Sequence, residues 1–430
     1  MKRLPIALRV LLGASCALTA TFDAAYPQPS QPSQPPSGSL ENLLPAGVEP
    51  TEAPVGFDGA TNGFLTEEEL KAAQTPFEER EEVDGGLGPV YNAQSCVECH
   101  QNPLAGGISQ VTELRAGHRV LGLHGETRFE AAPGGSLIND RAINAAIQER
   151  VPESEDVRTF RTSLNTLGDG FVEAIANETL LAIARDQYRQ SFGLIRGQVV
   201  WVPVLEAENR LRIGRFGWKG QHASLLSFAA DAYVNEIGIT NPLQPVENTS
   251  LGRSVADFDE VADPEDADGA DTQAFAAFMR ATKAPPRDEE LAATPEAVAG
   301  GRLFEKIGCA LCHVATIVTA APGATINGGA FVVPPALGNK TIHPFGDFLL
   351  HDVDTGDGIV QNGGQGTANK LRTPPLWGVR TRTRLMHDGR SLTFQNAILR
   401  HGGEARLVTA NFRFLSESQR QNVVAFLKSL

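Results

Sequence analysis

Residues 295–313 read PEAVAGGRLFEKIGCALCH. Pro295 stands where a proline is welcome, at the first position of a helix, and Val298, Leu303 and Phe304 share one side of the turns that follow. Gly308 can end that helix, so the chain is delivered directly into Cys309-Ala310-Leu311-Cys312-His313. The last fifteen residues, SESQRQNVVAFLKSL from Ser416 to Leu430, predict a second helix. Ser416 and Gln419 have capping-box spacing, and Val423, Val424, Phe426 and Leu427 form its apolar stripe. A helix entering a Cys-x-x-Cys-His turn, with a terminal amphipathic helix to pack across it, defines a mainly α domain over residues 294–430.

The same five-residue pattern occurs earlier, as Cys96-Val97-Glu98-Cys99-His100. Two cysteines three apart on one turn face the same way, so both can form thioethers with the vinyl groups of a single haem. The adjacent histidine then reaches the iron from one side. Rival readings are weaker. A zinc ribbon pairs its Cys-x-x-Cys units about 15–20 residues apart, whereas these begin 213 residues apart. A thioredoxin-like pair needs no histidine after its second cysteine, and disulfides, the default for an exported chain, do not explain the repeated spacing. The expectation is two covalently bound haem c groups, one on Cys96 and Cys99 with His100 on the metal, the other on Cys309 and Cys312 with His313. The second half then has the helix-and-motif arrangement of a small cytochrome c domain.

The rest of the chain is consistent with an exported, acidic protein. Met1-Lys2-Arg3 followed by the uncharged run Val10 to Ala20 reads as an export signal over residues 1–25, too short for the roughly 20 apolar residues of a membrane span. Cys16 raises a lipoprotein alternative, but Gly13 stands where such a site wants a leucine-like residue. A membrane partner follows only if Cys16 is lipidated. Residues 26–55 are rich in Pro, Gln and Ser and predict an extended linker. An N-terminal haem domain follows over residues 56–255, with a helix at Glu173 to Tyr188 and a hairpin between Gln198 and Ile213. Residues 256–293 form a connector in which Asp257 to Asp271 holds eight acidic residues in fifteen. Solvated repulsion accounts for that run, and it lacks the alternation and terminal Glu of an EF-hand calcium loop. Thirty-seven Lys and Arg against 51 Asp and Glu leave a formal charge of −14, which argues against nucleic acid as a partner.

The second axial position decides what each haem does. An open face can bind peroxide or oxygen, while two protein ligands leave electron transfer. Methionine is scarce: with Met1 removed, Met279 and Met386 remain. The free histidines are His118, His124, His222, His343, His351, His387 and His401. Taken singly, each is more readily a satisfied structural histidine than a ligand.

The segment Asn369 to Ala405, NKLRTPPLWGVRTRTRLMHDGRSLTFQNAILRHGGEA, resembles the C-terminal part of the di-haem cytochrome c peroxidase superfamily. From about Gly56 to Leu430 the chain is similar to the branch of di-haem oxidoreductases once called thiol oxidoreductases. Ser95–Ile108 (SCVECHQNPLAGGI), Gly214–Lys219 (GRFGWK), Asp347–Asp352 (DFLLHD) and Arg372–Gly378 (RTPPLWG) all fit it, in order. The resemblance implies that the distal ligand of the second haem falls on His401 in LRHGG. It is a Met in the peroxidases and a His in the rubber oxygenase relatives. His387 then becomes a structural residue networked with Asp388. Trp218 falls where the superfamily keeps a tryptophan between the haems. Over the first haem the peroxidases place a Gln and a Glu; counted from Trp218, those positions fall on Phe228 and Gly238, with Glu236 the nearest carboxylate and Tyr233 in the same stretch. An apolar pocket there weakens acid–base assistance and leaves oxygen chemistry open, as in the related oxygenases. A calcium ion between the domains is a further property of the peroxidases.

The expected architecture is therefore mainly α: two cytochrome c-like domains, each with one covalent haem, plus irregular loops and minor β. The expected function is a periplasmic or otherwise exported oxidoreductase with peroxide or oxygen chemistry at the first haem. Its electron partner would be a small periplasmic cytochrome c or cupredoxin. Oxygenation of an organic substrate, and a plain electron carrier with both irons fully ligated, are the alternatives.

Overall fold

The computed structural model describes residues 49–123 and 125–430. The export signal, Cys16, most of the proposed linker and His124 lie outside the described residues.

In the second half, the helix expected from residue 295 is found at Pro295–Ile307. Thr294 caps it by accepting the backbone N–H of Ala297, and Gly308 ends it at φ 102°, a conformation that costs a residue with a side chain dearly. The terminal helix is Glu417–Lys428, and its Ser416/Gln419 capping box is formed in both directions. The two helices cross at Gly300, where a Cβ atom would lie 1.9 Å from the Asn422 carbonyl oxygen. Only glycine permits that approach. Phe304 and Phe426 then meet at 5.1 Å between ring centroids within a core that also holds Ile307, Val423 and Leu427.

The first half repeats this plan with different sequence. The Glu67–Glu78 helix, with a Thr66/Glu69 capping box, packs against the Ala270–Ala281 helix. Phe77 lies 4.7 Å from Phe278. The latter helix begins where the acidic run Asp257–Asp271 ends and is the short amphipathic stretch that follows that run in the sequence. Its acidic N-terminal approach is polar, but Phe275, Phe278 and Met279 are buried in the largest core, and that burial makes it a packed element. Similarly, Thr51–Glu52, at the end of the proposed linker, pairs in parallel with Lys340–Thr341. Backbone pairing of this kind holds a segment that composition alone would leave free.

The main sequence-invisible element is a four-stranded sheet inserted after the first cysteine motif. Thr112–Leu121 pairs antiparallel with Thr127–Ala131, Leu137–Ile138 and Val157–Thr162. Its register sets Glu113 opposite Arg161, and Arg115 two residues on shares the face of Glu113. The helix expected over Glu173–Tyr188 is divided into Asp169–Glu173 and Asn177–Gln190. The hairpin expected before Ile213 is Trp201–Val204 with Arg210–Ile213. Helices dominate and strands are short, a mainly α architecture.

Candidate functional site

Both cysteine motifs adopt one local geometry. Each is a tight turn, Cys96–Glu98 and Cys309–Leu311, in which the first cysteine carbonyl accepts the N–H of the second cysteine and of the histidine. For His100 and Cys96 the distance is 2.9 Å, for His313 and Cys309 3.0 Å. The turn therefore sets both thiols and the imidazole on one wall. Phe77 and Phe304 take equivalent places beside His100 and His313, at 6.5 and 6.1 Å. All four cysteines are free, so no disulfide competes for them. Burial, and then the neighbouring thiol, pushes Cys96 and Cys309 up to about 12.

Each motif faces a large cavity. One, with about 1380 Å³ of atom-free space including its mouth, is walled by Cys309, Cys312, His313, His387 and His401. The other, of about 1360 Å³, is walled by Cys96, Cys99, His100, Phe228, Tyr233 and Glu236. Paired thiols and an adjacent imidazole on the wall of a cavity, an arrangement that occurs twice, are chemically suited to haem. Trp218 and Arg372 line both cavities.

The histidines separate by their partners. The Nδ1 of His100, His313 and His401 faces the carbonyls of Gly107, Phe345 and Ala397 at 3.1, 3.1 and 2.8 Å. An Nδ1–H donated to a carbonyl leaves the lone pair on Nε2, the tautomer and orientation typical of a metal-bound imidazole. Phe345 presents its carbonyl from a left-handed backbone, φ 49°, which such a residue adopts only under constraint. Burial lowers all three imidazoles, His313 to about 4 with help from His401, and so keeps them neutral. By contrast, His118, His222, His343 and His351 each pair with a carboxylate. His351 is held between Asp347 and Glu404, both at 2.9 Å, and Asp347 overcomes burial to keep it protonated. His387 departs from the sequence reading. Its buried Nδ1 has no partner, while Asp388 is taken by Arg400 at 2.6 Å. The ring instead meets the Trp218 indole edge-on at 6.1 Å.

The cavity of the first motif is not the apolar pocket expected around Phe228 and Tyr233. Phe228 does stack with Phe216 at 6.1 Å, and the Tyr233 hydroxyl is spent on Glu81 at 3.0 Å. Yet Glu113, Arg115, Arg161, His222, Asp231 and Glu236 share the lining. Arg115 holds Glu113 through two hydrogen bonds of 2.8 and 3.0 Å. Burial, and then the Glu113 carboxylate, pushes Glu236 up to about 8. At Glu113 the effect of burial is outweighed by Arg115 and Arg161, which hold it below the ordinary value. One carboxyl therefore keeps its proton near neutrality while its neighbour is ionised, the arrangement that suits one acid and one base. Sequence reasoning found Glu236 and missed Glu113, Arg115 and Arg161. Their only signal was the alternation of Glu113 and Arg115, which does not say what the strand faces.

Trp218 is tied into the wall between the cavities. Its Nε1–H donates to the Thr162 carbonyl at 2.8 Å, and its own carbonyl accepts the Arg372 N–H at 2.7 Å. Beside it Lys219 is buried against Asp357 at 2.9 Å, which Arg161 also contacts. Asp259, Asp263 and Glu265 of the acidic stretch gather around Glu247, and burial pushes Glu247 up to about 8.

The two cysteine-walled cavities share one indole, that of Trp218. The chain belongs to the di-haem oxidoreductase, putative peroxidase family, which matches residues 139–430. It is thus a peroxidase-like haem oxidoreductase by family, with haem as the implied cofactor. No curated protein matches it in sequence. Among solved structures, a hydrazine synthase from Kuenenia stuttgartiensis, pressurised with xenon, is 15% identical, with 94% of this chain and 100% of that chain covered at a TM-score of 0.39. A MauG-like protein associated with microbial copper homeostasis is 16% identical over 90% of this chain and 94% of that chain, also at 0.39. The diheme peroxidase BthA from Burkholderia thailandensis is 13% identical over 90% and 95%, again at 0.39. Among the described residues no helix is long and apolar enough to cross a membrane.

Proposed function

We propose that this chain is an exported c-type oxidoreductase that reduces peroxide at one haem with electrons received through another. Cys96 and Cys99 would hold the first haem with His100 as its proximal ligand. Cys309 and Cys312 would hold the second, between His313 and His401, leaving it for electron transfer. Bound haem supplies the redox chemistry and the open coordination site. The protein supplies the rest. Glu236, protonated near neutrality, donates a proton to the departing oxygen, while ionised Glu113 accepts one from the incoming peroxide. Arg115 keeps the second carboxylate charged and oriented. Trp218 offers a path between the centres, and the electron donor would be a small periplasmic cytochrome c or cupredoxin. The observation that carries this reading is the pairing of Glu113 and Glu236 in the cavity of His100, a proton relay for which a plain electron carrier has no use.

The test is haem content beside turnover. Mature protein made with c-type maturation should carry two acid–acetone-resistant haems and oxidise a reduced donor with peroxide. Cys96→Ala with Cys99→Ala should leave one haem and abolish turnover. Two low-spin haems that bind neither cyanide nor peroxide would establish the carrier instead.

A further inference from the structure

The two cavities differ in charge in a way the reaction does not require. The cavity of Cys96 is lined by carboxylates and arginines together: Glu113, Asp169, Asp231 and Glu236 against Arg115, Arg161 and Arg372. The cavity of Cys309 is lined by Arg372, Arg382 and the histidines His313, His351, His387 and His401, and by no Asp or Glu among the described residues. Of these histidines, His351 is already paired with Asp347 and Glu404. A buried cation without a counter-ion is costly, and the usual resolution is an anion brought by a ligand.

Hydrogen bonding makes the imbalance sharper. Arg382 spends one terminal nitrogen on the Thr162 hydroxyl at 3.1 Å and the Ser163 carbonyl at 3.4 Å, and its Nε on the Arg384 carbonyl at 3.5 Å. Its other terminal nitrogen has no acceptor among the described residues. Arg372 donates its Nε to the Gly217 carbonyl at 2.7 Å, and neither terminal nitrogen has an acceptor among the described residues. The two differ in counter-charge: Asp169 and Asp347 act on Arg372, whereas no described carboxylate acts on Arg382, which is subject to burial alone. The acceptors that fix these side chains are backbone carbonyls and one hydroxyl, groups that aim an arginine without neutralising it. A guanidinium so aimed is a fork for a carboxylate.

We propose that Arg382 clamps a propionate carboxylate of the haem that Cys309 and Cys312 would hold. Arg372, in the wall of both cavities, already has Asp169 and Asp347 as counter-charges and is not needed for the clamp. The clamp rests on the two-haem reading and adds a consequence of its own. A cation without a counter-charge beside the macrocycle favours its reduced form and holds a propionate ionised. Arg382 therefore raises that centre's potential and shields it from pH.

The test is the midpoint potential of the His313/His401 haem in Arg382→Gln, with haem counted in the same sample, across the neutral pH range. Loss of the cation should lower the potential and make it pH-dependent, because a released propionate then takes up a proton on reduction. Arg382→Lys, which keeps the charge, should return the potential most of the way. A two-haem Arg382→Gln protein with wild-type potential and pH profile overturns the clamp. Should that variant not accumulate, Arg382→Lys decides: near wild-type potential supports the clamp, and a fall despite the retained charge overturns it. Wild-type protein without covalent haem refutes the underlying reading before any variant is compared.

Discussion

Replacing Trp218 by phenylalanine separates its two conceivable roles, and the structure says how large each effect should be. The side chain is 7% exposed and its Nε1–H satisfies the Thr162 carbonyl at 2.8 Å. Phenylalanine has no donor, so a buried carbonyl loses its partner at a cost of about 1–3 kcal/mol. The smaller ring adds a packing loss on the order of 1 kcal/mol. Unfolding in guanidinium should thus show a loss of about 2–4 kcal/mol whatever the indole does in catalysis. Stability alone therefore decides nothing. The deciding quantity is the rate at which an electron placed on the His313/His401 haem reaches the other, measured by rapid reduction and spectral monitoring of folded protein. A relay predicts that both haem spectra persist while this rate and peroxide turnover fall together. An unchanged internal rate in a correctly loaded, merely less stable protein would refute the relay and leave Trp218 as wall.

His401→Ala should convert one low-spin haem to a high-spin or water-ligated form, whereas His387→Ala, whose Nδ1 has no partner, should leave that spectrum nearly unchanged; the opposite pattern would reassign the ligand. Glu236→Gln and Glu113→Gln should each lower peroxide turnover about 10²–10⁴-fold while cyanide still binds the first haem. Because burial and Glu113 raise Glu236 from 4.5 to about 8 in the folded protein, the native state holds a proton that the unfolded chain has released between those values. Stability contributed by this group is therefore present below about pH 4.5 and lost as pH rises through about 8. Glu236→Gln should flatten that decline in denaturant midpoints measured across the range. Gly300→Ala, with its Cβ 1.9 Å from a backbone carbonyl, should cost more than the roughly 1–3 kcal/mol of ordinary overpacking. Gly301→Ala, whose nearest contact is a Phe426 ring carbon at 3.2 Å, should cost less, and equal losses would mean the helices can slide apart.

What could be read along the chain was whatever depends on residues close in sequence. The Cys-x-x-Cys-His turns, the Pro295–Ile307 and Glu417–Lys428 helices with their caps, and the Trp201–Ile213 hairpin all follow from neighbours within a few positions. The resemblance added His401 and Trp218 as candidates, and their surroundings then came from the fold. What sequence could not show is what residues far apart do to one another. Nothing in the alternation of Glu113 and Arg115 announces that their strand turns toward Glu236, 123 positions later, or that Arg161 completes the group from a third segment. Phe228 and Tyr233 suggested an apolar pocket because Glu113, Arg115 and Arg161 reach the lining from an inserted sheet. The amphipathic stretch after the acidic run was legible, but not its partner, since local pattern says nothing of Phe275 and Phe278 finding Phe77 some two hundred positions earlier. Local rules set turns and caps, because their hydrogen bonds close within one turn. Burial and pairing set the proton on Glu236 and the unpaired charge of Arg382, because both depend on which distant segments exclude water from the same cavity.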